Sequence, residues 1–314
     1  MAVERIASLP PGHQENDSAG DMEWLRMIRP EFNASVAAGP SAATAKPLHL
    51  GGNMGINFVS HGAPLDDGGL SAALDALQVG AAQLWAVLHV ETGGVGYLSD
   101  RRPDILFERH IFSRLTYGQF DGTNPDVSNR QPGGYGAGGA HQYDRLDAAM
   151  ALDSSAALKS ASWGIGQTMG FNYQEAGCAN VEDMVARMVQ SESDQLMCAA
   201  GEILEGGAVA ALRARDWTNF ARIYNGPNYA QNNYDSRLSA AYQGYAYGGT
   251  PDLRVRAVQY YLEYLGFHPG PVDGVSGQLT RSALHEFQAS RQLPITDVVD
   301  DSILGEMRAA ADAL

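Results

Sequence analysis

Leu74, Leu77, Ala81, Leu84 and Leu88 recur three and four residues apart, the spacing that lines up side chains along one face of an α-helix. Such a face must be buried against other helices, so the chain from Leu70 to about Tyr245 is expected to fold as a helical domain. Met184, Met188, Leu196 and Ile203 repeat the pattern and predict a long helical segment over Val181 to Ile203. Between these stretches, Asp121 to Gly139 is rich in Gly, Asn and Pro and ends in Gly133-Gly134-Tyr135-Gly136-Ala137-Gly138-Gly139. Regular helix is excluded there, which leaves two readings of equal weight: one wall of a cleft, or a mobile surface loop.

Two boundaries follow from punctuation. Residues 1–69 are broken by Pro10-Pro11-Gly12, Pro40 and Pro47, carry an Ala/Ser/Thr-rich stretch at Ser41 to Ala45, and read as a loosely ordered tail with local helix only over Met22 to Ile28. Within it, Ile56-Asn57-Phe58-Val59 is a candidate strand packed on the main domain. The catalytic-sized domain then spans 70–247, and Tyr247-Gly248-Gly249-Thr250-Pro251 separates it from a compact unit at 250–314. In that unit Leu253, Val258, Leu262 and Leu265 form a helical stripe, and Val272-Asp273-Gly274 is a turn. Thr280 stands where a cap would start a second helix, and Asp300 or Asp301 opens a third. The fold class is therefore all-α: a larger helical domain followed by a three-helix bundle. Because each set of apolar stripes looks complete, few contacts need cross the glycine hinge, and a chain ending at about Tyr247 is expected to fold by itself.

With 314 residues, 45% hydrophobic and 18% charged, there is enough apolar material for both units. A formal charge of -15 disfavours nucleic acid and membrane surfaces as partners. Cys178 and Cys198 are too few for a disulfide framework and lack the paired spacing of structural zinc, which leaves one bridge or two reduced core thiols, the latter being the expectation. The first residues carry no apolar run of signal-peptide length, and no stretch approaches a transmembrane span.

Glu91 is the carboxylate that the pattern singles out. It follows Leu84, Val87 and Leu88 by seven, four and three positions and so lies on the buried stripe, while Gly93-Gly94 stops the helix just beyond it. Burial and the negative end of the helix dipole both disfavour an ionised carboxylate there, as a general acid working at neutral pH requires. The competing reading is a Glu at a frayed helix end bonded to an arginine. Ser162-Trp163-Gly164-Ile165-Gly166-Gln167 combines glycines that admit a ligand to the backbone with an indole and an amide suited to a sugar ring and its N-acetyl group. By itself it reads better as a helix junction around a core Trp163. Tyr224-Asn225-Gly226-Pro227 ends a helix and would point a phenol and an amide into the same cleft.

Taken in order, these segments resemble the lysozyme-like superfamily that includes goose-type lysozymes and lytic transglycosylases. Over roughly Leu70 to Tyr245 the chain is most similar to the phage and bacterial N-acetylmuramidases of endolysins. Four blocks carry the resemblance: Ala86-Val87-Leu88-His89-Val90-Glu91-Thr92, Ile105-Leu106-Phe107-Glu108-Arg109-His110, Ala161 to Gln167, and Phe220 to Pro227. Ser128 to Gly133 lacks the Trp that many relatives carry before paired glycines. The resemblance implies cleavage between N-acetylmuramic acid and N-acetylglucosamine, with Glu91 as the acid and Ser162, Trp163, Gln167, Tyr224 and Asn225 as substrate contacts. After residue 250, Val258-Gln259, Leu265-Gly266-Phe267, Val272-Asp273-Gly274, Gly277, Thr280 and Phe287-Gln288 resemble the common peptidoglycan-binding domain, which implies noncovalent attachment to the wall.

The second carboxylate decides mechanism, and Glu108, Asp100 and Asp104 are the candidates. Glu108 comes first because it lies in a matching block, against a structural ion pair with Arg109 or Arg114. A lytic transglycosylase would need no second carboxylate. A zinc peptidase or amidase would draw on His61, His89, His110 or His141, yet no paired ligand spacing is present. A noncatalytic wall-binding component is the remaining alternative. The expectation is a monomer acting on bacterial peptidoglycan without cofactor or metal, held in the host cytoplasm until a separate agent, such as a holin, opens the way.

Overall fold

The computed structural model describes residues 56–226, 230 and 233–314; residues 1–55 of the expected tail, with the Met22 to Ile28 helix, lie outside them. Among the described residues are thirteen α-helices and one three-stranded sheet.

Helix α1 (Asp67–Leu77) starts where Asp66 accepts a hydrogen bond from the Gly69 amide at 2.7 Å. Helix α2 (Ala81–Thr92) starts with the Gln83 side chain accepting from the Gly80 amide at 2.9 Å. Its apolar residues were expected on one face, but Leu84, Trp85, Ala86, Val87, Leu88 and Val90 are all buried. The helix is central and has neighbours on most sides, chiefly α10 (Tyr234–Gly248). Leu65, Leu77, Leu84, Leu88, Ile165, Leu196, Ile203, Leu212, Phe220 and Leu238 pack with it in one core.

The folded unit begins earlier than Leu70. Phe58 is buried with its ring 5.2 Å from Tyr143 and 5.8 Å from Trp163, and Leu65 is buried too. Residues 56–59 form no strand; Phe58 is held by its ring rather than by a ladder.

After α2 come strand β1 (Ile105–Phe107) and helices α3 (Arg109–Leu115), α4 (His141–Met150) and α5 (Ser154–Lys159). Strands β2 (Ala161–Trp163) and β3 (Thr168–Met169) complete an antiparallel sheet in the order β1-β2-β3, with Ile105 opposite Trp163 and Ser162 opposite Met169. Strands of two or three residues carry no alternation to read, which is why none was foreseen here.

The expected single helix over Val181 to Ile203 is two: α6 (Val181–Gln190) and α7 (Glu192–Glu205). Ser191 leaves helical geometry and caps α7, accepting from the Asp194 amide at 3.0 Å. Helices α8 (Val209–Ala214) and α9 (Trp217–Tyr224) lead to α10. Cys178 and Cys198 are buried and unbridged.

The bundle comprises α11 (Leu253–Tyr264), α12 (Gln278–Ser290) and α13 (Asp301–Asp312) around Val258, Leu262, Leu284, Phe287, Ile303 and Met307. Asp300 caps α13, accepting from the Ile303 amide at 3.0 Å. Thr280 is not the cap of α12. It sits buried inside the first turn, where its hydroxyl donates to the Pro269 carbonyl at 2.9 Å and accepts from the Gln259 amide at 3.1 Å.

The boundary between the larger domain and the bundle is not an empty hinge. Tyr97 belongs to the bundle's apolar cluster, Leu253 belongs to the core around α2, and the Tyr264 hydroxyl donates to the Gly62 carbonyl at 2.9 Å. Tyr97, Tyr260 and Tyr264 supply large apolar rings with single hydroxyls, so burying them across the boundary costs little once each hydroxyl has a partner. Periodicity in each segment is satisfied separately, and so could not reveal this contact.

Candidate active site

Glu91 occupies the last turn of α2 and is 3% exposed. Gly93 follows in the left-handed conformation, donating from its amide to the His89 carbonyl at 3.0 Å, and so ends the helix where the sequence places its stop. The Oε1 of Glu91 accepts from the hydroxyl of Tyr234, which projects from the first turn of α10 and is itself buried. Sequence reasoning missed Tyr234. One weak sign was available, since the apolar helix it opens must pack on something, but no periodicity reveals which polar atom a phenol will meet.

The next residue, Thr92, donates through its hydroxyl to the Ile165 carbonyl at 3.1 Å and thereby ties the end of α2 to the β2–β3 turn. Tyr224 donates to the Gly166 carbonyl of that turn at 3.2 Å. On its other side, the Gly164 amide donates to the Asp104 carbonyl at 2.8 Å. Glu91, the β2–β3 turn, Tyr224 and the start of β1 are thus brought into one neighbourhood.

Several predicted contacts are bonded within the protein itself. Trp163 is fully buried and its indole donates to the Leu158 carbonyl at 3.1 Å, so it is a core residue and offers no face to a sugar. Ser162 donates to Gln167 at 2.6 Å, while the Gln167 amide donates to the Gly164 carbonyl at 3.0 Å. Both side chains hold the turn. The glycines serve packing: a Cβ on Gly164 would lie 2.5 Å from the Gln195 side chain, and one on Gly166 would lie 2.4 Å from the Ala199 Cβ. Helix α7 therefore approaches too closely for any side chain. Asn225 is 4% exposed, and its Oδ1 has no hydrogen-bond partner among the described residues. A buried acceptor left open is suited to a ligand N–H.

Glu108 is buried at the junction of β1 and α3, and its nearest ionisable neighbour is His110, with Nδ1 3.1 Å from Oε2, rather than the arginines first considered. Asp100 is bonded to the Arg102 guanidinium at 2.6 and 2.9 Å. At Asp104, burial pushes the carboxyl up to about 6. The Asp121 to Gly139 segment is fastened rather than loose: Gln142 donates to the carbonyls of Tyr135 and Ala137, and Arg145 donates to those of Asp126 and Gly134. It also reaches α3, where the Asn129 amide donates to the Arg109 carbonyl at 3.3 Å, so it walls the region beside Glu108. His61, His89, His110 and His141 go to separate partners, Asp312, Tyr245, Glu108 and Asp144.

A buried carboxylate closing a helix, beside a small antiparallel sheet and within a helical core, is the lysozyme-like arrangement. Residues 80–246 match the family described as N-acetylmuramidase, and the chain belongs to that family. Residues 251–307 match the family described as putative peptidoglycan binding domain. Among solved structures, the chain is similar to the crystal structure of Burkholderia AP3 phage endolysin, with 40% identity over 59% of this chain and 72% of that one, at a TM-score of 0.54. No protein of curated function matches. The chain is a glycoside hydrolase whose partner is peptidoglycan.

Proposed function

We propose that this protein is an endolysin that cleaves the β-1,4 bond between N-acetylmuramic acid and N-acetylglucosamine, with Glu91 protonating the leaving glycosidic oxygen. The observation that carries the assignment is Glu91 itself. It is a buried carboxylate at a helix end with one oxygen held by Tyr234, in a chain of the N-acetylmuramidase family. The open Oδ1 of Asn225 accepts an N–H of the sugar's acetamido group, and Tyr224 supports the same turn. The enzyme acts as a monomer, needs neither nucleic acid nor membrane, and is released from the host cytoplasm during lysis.

Mass spectrometry of digested peptidoglycan tests the bond and the reaction. Muropeptides ending in reducing N-acetylmuramic acid are expected. A dominant product lighter by one water would make the enzyme a lytic transglycosylase, and new amino groups would make it a peptidase.

Glu108 is the proposed second carboxylate, activating the water that attacks the sugar. A second reading favours Asp104, because burial holds its carboxyl up at about 6 and it adjoins the turn tied to Glu91's helix. Glu108→Gln is expected to lower turnover about 10²-fold or more, and Asp104→Asn to leave most of it. The reverse ranking would transfer the role to Asp104.

A further inference from the structure

The bundle reaches into the larger domain through one side chain. Arg256, on α11, is fully buried, and its guanidinium grips Glu192 at the start of α7 with contacts of 2.5 and 2.6 Å. The same guanidinium donates to the Gly94 carbonyl, three residues beyond Glu91. Around this pair, the Tyr260 hydroxyl donates to Glu192 at 2.5 Å, and the Gly96 amide lies 2.8 Å from both the Tyr260 oxygen and a Glu192 oxygen. The Leu65 amide donates to the other Glu192 oxygen at 2.8 Å. The Arg256 guanidinium also lies 5.6 Å from the Trp85 ring, on Glu91's own helix. Burial alone would discourage charge on Arg256, but the Glu192 carboxylate against it outweighs that cost and holds the guanidinium above its ordinary value.

From these contacts we infer that Arg256 is a positioning residue for catalysis: the wall-binding bundle clamps the carbonyl end of the helix that carries Glu91. A cation there holds the carbonyl just past a helix terminus whose His89 and Val90 carbonyls are already bonded by the Gly93 amide and Arg237, and complements the dipole of that helix. It also fixes Gly94 to Gly96, where a Cβ on Gly96 would meet the Gln195 side chain at 2.1 Å, so the segment is wedged as well as bonded. Catalytic groups lose rate steeply when their placement loosens. The bundle therefore does more than tether the enzyme; it forms part of the frame around the acid.

This inference rests on Glu91 being the acid, which Glu91→Gln tests separately, so the two can fail independently. Three full-length variants are compared on soluble glycan fragments, with melting temperatures taken alongside. Arg256→Lys keeps a charge but cannot span both Glu192 oxygens and Gly94. Glu192→Gln with Arg256→Met removes both charges, so no unpaired ion is left buried. Tyr260→Phe keeps the ion pair and removes only the hydroxyl beside Gly96. For the first two, kcat should fall about tenfold or more with KM within about twofold, although the paired variant melts close to the parent. Tyr260→Phe should lower kcat about threefold. Parental kcat in either of the first two when folded overturns the proposal, as does a change confined to KM. If neither folds, unchanged kcat in Tyr260→Phe overturns it.

Discussion

Glu91→Gln is expected to lower turnover on peptidoglycan by about 10²-fold or more while leaving the fold and the retention on sacculi as they are. The amide occupies the same volume in a site that is 3% exposed, and its oxygen still accepts the Tyr234 hydroxyl. It has no acidic proton for the leaving sugar oxygen, so only the chemical step suffers. Turnover on sacculi, with a melting curve and a sedimentation assay on the same preparation, makes the comparison. Retention of more than about a tenth of the parent rate would remove Glu91 from the acid's role.

A chain ending at Tyr247 is expected not to reach the native fold, or to melt at least about 10 °C below the parent. This reverses what the segment-by-segment reading implied. The cut removes Leu253 from the main core, and Tyr260 and Tyr264 from their places against Gly96 and Gly62. Each large apolar side chain so removed forfeits about 1.5–3 kcal/mol of burial, and Tyr97 loses the bundle cluster it packs in. Glu192 loses both its guanidinium and its phenol. Losses of that sum rival the 5–15 kcal/mol by which a typical domain is stable. Circular dichroism in the near ultraviolet and a thermal scan decide the matter. A truncated chain that melts within about 2 °C of the parent would show that the boundary contacts contribute nothing to stability.

The geometry around the proposed site was legible in parts. Glu91 could be found because a helix stripe and its glycine stop are local patterns, and a carboxylate caught on the buried side of such a stripe stands out. Ser162, Trp163 and Gln167 drew attention for their residue types, and the structure bonds them to the turn and the core. Composition cannot distinguish an amide aimed at a sugar from one aimed at its own backbone. Tyr234 and Arg256 were invisible because each acts on a residue more than a hundred positions away.

By itself the sequence determined the helical class, the stop after Glu91, the bundle with its Asp300 cap, and the order of the motif blocks. All of these depend on neighbours within a few positions, where helix periodicity, capping and glycine geometry act. Only the tertiary structure decided that Ser191 breaks the long helix so that Glu192 can turn inward, that three short strands join distant blocks, and that Arg256 crosses from the bundle to the end of α2. Those outcomes depend on which distant atoms must satisfy a buried charge or an unpaired carbonyl, and burial is a property of the assembled fold rather than of any stretch of chain.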